Sequence, residues 1–205
     1  MEGNGRLLDI VLAGIGGQGI ITMATVLADA AVRGGYNAIV AETHGLSQRG
    51  GTVIVHVRLG DAEAPLIMRG SGDVLLSLEA TETLRYLEYV RRGSIVVVDM
   101  RIIPPPLPDV KVPTLVEVLE ELEKAEVQVY PVNAVGEAQA LGNPRAANMY
   151  LIGFGLAVHG YNGIVTLDAL EESISERVRN PESNIKVLRK GYEDGLKAVG
   201  QLVRG

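Results

Sequence analysis

Along this chain, short unbroken apolar runs alternate with stretches in which apolar residues recur every three or four positions. The first run, Leu7-Leu8-Asp9-Ile10-Val11-Leu12-Ala13, predicts a buried strand. Ile20, Ile21, Ala24, Leu27, Ala28 and Ala31 follow at helical spacing, so a helix is expected from Gly17 to about Arg33, ended by Gly34-Gly35. Asn37–Glu42 reads as a second strand. Over Thr52–Leu59 the pattern becomes strict alternation, with Val53, Val55, Val57 and Leu59 on one face and Ile54, His56 and Arg58 on the other. That pattern predicts a strand half-open to solvent, with His56 solvated.

Asp61–Pro65 reads as a turn, Asp73–Leu78 as a short strand, and Glu79–Arg92 as a helix stopped by Gly93. Ser94-Ile95-Val96-Val97-Val98-Asp99 is the most continuous buried strand in the chain. Pro104–Pro108 forms a stiff, extended loop. Thr114-Leu115-Val116-Glu117 has capping-box spacing and opens a helix to about Ala125, before a strand at Val127–Val132. Asn143-Pro144 and Asn180-Pro181 each read as a helix N-cap followed by the first helical residue. The last third, from about 144 to 205, is expected to be helical in three pieces.

This alternation predicts an α/β fold: a three-layer, Rossmann-like arrangement with a mostly parallel sheet, helices on both faces and a helical C-terminal third. The whole of 1–205 reads as one domain. Sheets of this kind place ligands at the carboxyl ends of their strands, and two glycine-rich loops are expected there.

Composition narrows the chemistry. The chain has no cysteine, which excludes disulfides, thiolate nucleophiles, cysteine-ligated Fe–S clusters and cysteine-type zinc sites within it. Its net charge is −6 with no long basic block, and aromatics are 4%; non-specific nucleic-acid binding is not expected. No apolar run approaches the roughly 20 residues that cross a bilayer. With a polar Met1–Arg6, the expected location is the cytoplasm.

The first loop is Gly14-Ile15-Gly16-Gly17-Gln18-Gly19, directly after the first strand. Gly14-x-Gly16-x-x-Gly19 fits the dinucleotide fingerprint, and Glu42 closes the second strand about where a ribose-binding acid would sit. Three readings stay open: NAD or FAD binding, a phosphate-bearing ligand that is not a dinucleotide, or glycines that only let helix and strand pack closely. The second loop is Thr43-His44-Gly45-Leu46-Ser47-Gln48-Arg49-Gly50-Gly51. His44 is a candidate acid, base or neutral donor, and Arg49 can grip a phosphate or carboxylate in two-pronged fashion. Gln48 can orient either group, and Gly50-Gly51 lets the loop re-enter the sheet. The plain alternative is a loop whose His and Arg fasten it to the domain or to a partner.

Other residues carry less. His159, before Gly160, sits at an expected helix C-terminus, where a cation is favourable without further role. Arg91-Arg92 reads as a helix end of the same kind. Asp99 ends a buried strand, where a capping or turn role is expected. Glu117, Glu120, Glu121 and Glu123 read as a solvated helix face.

Taken together, Ala13–Gly19, Glu42–Gly51, Val55-His56-Val57-Arg58 and Asp73–Glu79 resemble the gamma domain of 2-oxoacid:ferredoxin oxidoreductases. Within that family they are most similar to the small subunits of the indolepyruvate-oxidising branch. The resemblance covers most of the chain and is strongest over residues 7 to 100. It implies a complete enzyme that oxidatively decarboxylates a 2-oxo acid with coenzyme A and passes electrons to ferredoxin. Thiamin diphosphate and Fe–S clusters are then expected in a large partner subunit, with no cofactor bound by this chain alone and no activity from it alone. The resemblance also implies that Gly14, Gly16, Gly17, Gln18 and Gly19 form an anion nest or packing surface. Glu42, Thr43, His44, Gly45, Gln48, Arg49, Gly50 and Gly51 would face the partner or the path of a shared coenzyme A. No metal ligand is expected, and a homodimer of the isolated chain is compatible with an interface that a larger subunit normally covers. A free-standing NAD- or FAD-binding oxidoreductase and a phosphate-ligand binding module are the alternatives.

Overall fold

The computed structural model describes residues 6–44, 51–105 and 111–202, with His44 and Leu202 described by backbone alone. Its elements, in chain order, are β1 (Leu7–Ile15), α1 (Ile20–Arg33), β2 (Ala38–His44), β3 (Thr52–Gly60), β4 (Gly72–Ser77), α2 (Ala80–Tyr86), β5 (Val90–Asp99), α3 (Leu115–Lys124), β6 (Gln128–Val132), α4 (Ala134–Ala140), α5 (Ala147–His159), α6 (Leu167–Arg177) and α7 (Pro181–Leu202). The strand order is β2-β3-β1-β4-β5-β6. Strands β1, β4, β5 and β6 are parallel neighbours. Strand β3 runs antiparallel between β1 and β2. Residues 45–51 are too few for a crossover back to a parallel neighbour, which takes about a dozen residues or more, so β2 and β3 pair as a hairpin.

Both faces of the sheet are covered. Alternate strand residues such as Leu8, Ile10, Leu12, Val55, Val57 and Leu76 pack with α1, α5, α6 and α7. Their neighbours Val11, Ala13, Leu75, Val96 and Val98 pack with Ala80 of α2 and Val118 and Leu122 of α3. This is the expected three-layer arrangement, with the helical C-terminal third on one face. Each fully buried aliphatic side chain in these layers contributes on the order of 1.5–3 kcal/mol.

Helix α5 is buried over 147–156. It is apolar on every side because sheet lies beneath it and α7 above. Small residues set that spacing. A Cβ added at Gly153 would overlap the carbonyl oxygen of Leu188, and one at Gly191 would overlap that of Tyr150. The capping box at α3 forms as the sequence predicts: Thr114 N–H donates to Glu117 Oε2 at 2.7 Å and Glu117 N–H to Thr114 Oγ1 at 3.3 Å.

Three expectations are corrected. The polar face of β3 is not open to solvent. His56 is 2% exposed, because the segment after β3 folds over it: Ile67 N–H donates to His56 Nδ1 at 3.3 Å and Tyr89 meets the ring edge-on. Arg58, beside it, is held by Asp9. Next, α2 stops at Tyr86, and β5 begins at Val90, so Arg91 and Arg92 lie in a strand rather than at a helix end. Register slips between Gly72 and Val74; Gly93 takes φ +79° in the looped-out stretch, and Arg91 pairs with Asp73 at 2.6 Å. Last, both Asn–Pro dipeptides stand at helical starts as expected, Asn143-Pro144 at a short 3-10 turn before α5 and Asn180-Pro181 at α7, but neither asparagine caps in the ordinary way. Asn143 makes no side-chain cap bond, and Asn180 stands at φ +54°, outside the extended region of an ordinary N-cap.

Candidate functional site

The first loop is built by β1 running straight into a tight turn. Gly14 is confined by its neighbours, since a Cβ there would lie 2.6 Å from Gln18 Oε1 and 2.8 Å from Ile20 Cδ1. Gly17 and Gly19 take φ +98° and +82°, which favours glycine strongly. Gln18 closes the turn. Ile15 N–H donates to its Oε1 at 2.6 Å, and its Nε2 donates to the carbonyl of Leu78 at 3.0 Å. Gln18 is thus spent on the protein, whereas Gly19 leaves the N-terminus of α1 without a side-chain cap and without an acid in its first turn. Backbone N–H groups at such a terminus favour an anion.

The second loop begins where expected. Glu42 and Thr43 are exposed on β2, and His44 is the last residue of that strand. The candidates Gly45, Gln48, Arg49 and Gly50, and the side chain of His44, lie outside the described residues. Gly51 accepts a hydrogen bond from Gly16 N–H at 2.9 Å, so the return of the second loop is tied to the first. A groove of about 320 Å³ between them is lined by Ile15, Gly16, Ile21 and Glu42, and Ile21 is 45% exposed.

The interposed β3 changes what Glu42 can do. In a dinucleotide site the ribose-binding acid ends the strand next to β1. Here Glu42 pairs with Val55 of β3, and so stands two strand spacings, roughly 10 Å, from β1. That geometry disfavours the dinucleotide reading.

On the other side of the glycine turn opens a larger cleft of about 650 Å³, within the usual range for small-molecule sites. Gly17, Gly19 and Thr22 form one wall; Asn143, Arg145 and Asn148, around the start of α5, form another; Arg179 and Asn180, before α7, form a third. Arg101, just beyond β5, also lines it. Among the described residues, no carboxylate lines this cleft. Asp99 sits below it in the expected capping role: its Oδ2 accepts from Val135 N–H at 3.1 Å at the start of α4, and its Oδ1 from Arg101 N–H at 3.1 Å. Asn148 Nδ2 donates to the carbonyl of Gly19 at 3.2 Å, joining α5 to the turn.

Sequence reasoning placed the glycine turn but not the arginines. A signal existed, since both Asn–Pro dipeptides carry an adjacent arginine, Arg145 after one and Arg179 before the other. Far apart in sequence, they line one cleft because α5 and α7 pack side by side. The other titratable candidates are positioned by packing. His159 ends α5, where Gly160 adopts a left-handed conformation; burial pushes its imidazole below the usual histidine range. Glu117, Glu120, Glu121 and Glu123 are exposed along α3. Among the described residues no cluster of three potential metal ligands occurs.

Residues 9–194 match the family described as pyruvate ferredoxin/flavodoxin oxidoreductase. The chain is 40% identical over 195 residues to the indolepyruvate oxidoreductase subunit IorB of Archaeoglobus fulgidus, covering 92% of this chain and 96% of that one. It is 36% identical over 203 residues to the subunit of the same name from Thermococcus kodakarensis, covering 95% and 97%. In fold it is similar to the keto/oxoacid ferredoxin oxidoreductase gamma subunit from Geobacter sulfurreducens, with a TM-score of 0.71 at 24% identity over 94% of this chain and 98% of that one. With a match that spans all six strands and most of α7, the chain belongs to the pyruvate ferredoxin/flavodoxin oxidoreductase family.

Proposed function

We propose that this chain is the small, cofactor-free subunit of a 2-oxoacid:ferredoxin oxidoreductase, with indolepyruvate or another aryl pyruvate as substrate. The observation that carries this reading is the similarity, over nearly the full length of both chains, to subunits named for indolepyruvate oxidation. On this reading 1–205 is a single gamma-type domain working in the cytoplasm. Among the described residues no helix is long and apolar enough to cross a membrane.

The residues of this chain do not fit the redox groups of such an enzyme. With no cysteine it cannot ligate an Fe–S cluster through thiolates, and it contains no Gly-Asp-Gly segment of the thiamin-binding kind. A large partner subunit supplies thiamin diphosphate, which stabilises the carbanion formed on decarboxylation, and the clusters that lead to ferredoxin. The chain described here is then inactive alone. Its part is to cover the partner with the paired loops: the apolar rim at Ile21, the exposed edge at Glu42 and Thr43, and the segment of His44, Gln48 and Arg49. Coenzyme A, as a phosphate-bearing co-substrate, would pass beside the glycine turn, whose free backbone N–H groups suit an anion.

Anaerobic affinity capture of the full chain from its host tests the proposal. Support is a co-purifying cysteine-rich subunit and 2-oxoacid-dependent dye reduction by the assembly, fastest with an aryl pyruvate and absent from the chain alone. A chain that is recovered alone and binds NAD or FAD overturns it. In the assembly, coenzyme A should protect Gly14–Gly19 from hydrogen exchange; unchanged exchange there removes the coenzyme from this site.

A further inference from the structure

We propose that a small cavity between the end of β1 and the start of α2 receives a lysine or arginine side chain from the partner subunit, with the Glu82 carboxylate as its counter-ion. On the subunit reading, on which this inference rests, that contact is one point where the two chains lock together.

The cavity lies at the carboxyl edge of the sheet. Ile15 ends β1, Thr52 opens β3 directly after the second loop, Thr81 and Glu82 stand in the first turn of α2, and Ile103 to Pro105 follow β5. Together they enclose about 200 Å³. That is below the roughly 300 Å³ at which small-molecule sites begin, and it suits a single side chain.

Its charge is unbalanced. Two carboxylates are buried here, Glu79 at 0% and Glu82 at 4% exposure. Glu79 is committed to the fold: its Oε1 accepts from Ile103 N–H at 2.9 Å, and its Oε2 from Glu82 N–H at 2.8 Å and from Thr81 Oγ1 at 2.6 Å. Glu82 is not, since its buried Oε2 takes no hydrogen bond. The cation beside it is Arg85, whose Nε lies 3.4 Å from Oε1 and 3.3 Å from Oε2. The Arg85 side chain is 58% exposed, so water screens it and it offsets little of the cost of burial. Two buried carboxylates thus face one solvated guanidinium. Burial holds the Glu82 carboxyl above the ordinary glutamate range; Arg85 opposes that shift and Glu79 adds to it. An acid in the first turn does favour a helix N-terminus, but it does so equally well from the surface, and that role leaves the burial of Glu82 unexplained.

The walls select the kind of cation. Ile15, Ile103, Pro104 and Pro105 present apolar surface, which suits the methylene stem of a long basic side chain while its charged end meets Glu82. A bare calcium ion takes about six to eight oxygens, and among the described residues no group of three carboxylates or histidines occurs.

Two measurements test the proposal. On the full chain alone, butylguanidinium and n-butylammonium stand in for the two side chains, read by NMR at the amides of Thr81, Glu82 and Ile103. Saturable shifts are expected, and E82Q should abolish them. No saturation by either probe up to about 100 mM, or equal shifts in E82Q, overturns the proposal. On the assembly recovered by anaerobic capture, E82Q should raise the dissociation constant about tenfold or more. Isolated E82Q should unfold at the wild-type midpoint or above it, because a buried charge has gone. E88Q, an exposed residue paired with Arg69, should leave both readings unchanged. An E82Q that lowers the midpoint and the affinity together assigns Glu82 to the fold alone and overturns the proposal. So does an E82Q assembly within about twofold of wild type, and probe binding alongside that result assigns the cavity to a free cation. A wild-type chain recovered alone overturns the subunit reading and the docking with it; the presence or absence of the large subunit tells that failure from the others.

Discussion

The side-chain amide of Gln18 spans from the end of β1 to the end of β4, donating to the carbonyl of Leu78 at 3.0 Å while its oxygen accepts from Ile15 N–H at 2.6 Å. One side chain thus fixes the glycine turn at both ends and faces the groups that would otherwise be left unpaired. Q18A should lower unfolding free energy by about 1–3 kcal/mol, the usual consequence of stranding partly buried polar groups. Q18E keeps the acceptor for Ile15 but sets a carboxylate against the Leu78 carbonyl, and should be at least as destabilised near neutral pH. Denaturant unfolding checks the first effect, and hydrogen exchange at Ile15 locates it. A wild-type midpoint in Q18A would remove Gln18 from its proposed role as the lock of the turn.

The crossing of α5 and α7 makes a sharper contrast. A Cβ at Gly191 meets backbone, the carbonyl oxygen of Tyr150, which cannot rotate away. G191A should therefore separate the two helices and lose about 1–3 kcal/mol or more. At Gly200, in the same helix, an added Cβ meets nothing within 4 Å. G200A should stabilise by up to about 1 kcal/mol, since alanine outranks glycine inside a helix. The same substitution thus changes sign within one helix, and paired thermal melts read it directly.

These two helices also show where sequence reading stops. The periodicity of α1, the capping box at Thr114 and the glycine turn after β1 were all legible because each is set by residues within one or two turns of chain. The antiparallel insertion of β3 follows from a short connection, but alternation alone suggested an open face. His56 and Arg58 look solvated in sequence; His56 is buried and Arg58 half-buried because the backbone of Ile67 and Asp9 meet them from elsewhere. The cleft arginines were illegible for the same reason: that Arg145 and Arg179 line one cleft without a carboxylate among its described lining is not a local property.

Asp9 and Arg58 are directly opposed across β1 and β3. They pair through two bonds, 2.8 and 3.1 Å, with side chains 5% and 14% exposed. Asp9 N–H also donates to Asp73 Oδ2 at 2.8 Å, and Asp73 pairs with Arg91. Removing one partner of a buried pair leaves a charge without compensation, so R58M should cost about 3–5 kcal/mol. The double variant D9L/R58M should recover much of that loss, because apolar replacement removes the desolvation penalty on both sides. A double-mutant cycle by denaturant unfolding measures the coupling. Additive losses would mean that the pair contributes packing rather than charge.

Histidine burial sets the response to mild acid. His56 is held below the usual histidine range first by burial and then by the charge of Arg58, against a smaller upward pull from Asp9. The Nδ1 of His56 already accepts from Ile67 N–H, and protonation there would break that bond. Because the folded state resists the proton, the unfolded chain binds it first as pH falls below about 6.5. Stability therefore declines from that point down to the lower folded value, by at most about 1.4 kcal/mol per pH unit per histidine. His159, also lowered by burial, acts in the same direction. Glu82 acts in the opposite one, since burial raises its carboxyl despite Arg85: it favours the folded state below the ordinary glutamate range and loses that contribution as pH rises through its folded value. The two effects overlap, so the total curve does not isolate either. The difference between wild type and H56Q does. H56Q should show a smaller loss of unfolding free energy between about pH 6.5 and pH 5, whatever its absolute stability. Parallel curves over that window would mean that His56 keeps an ordinary affinity for the proton inside the fold.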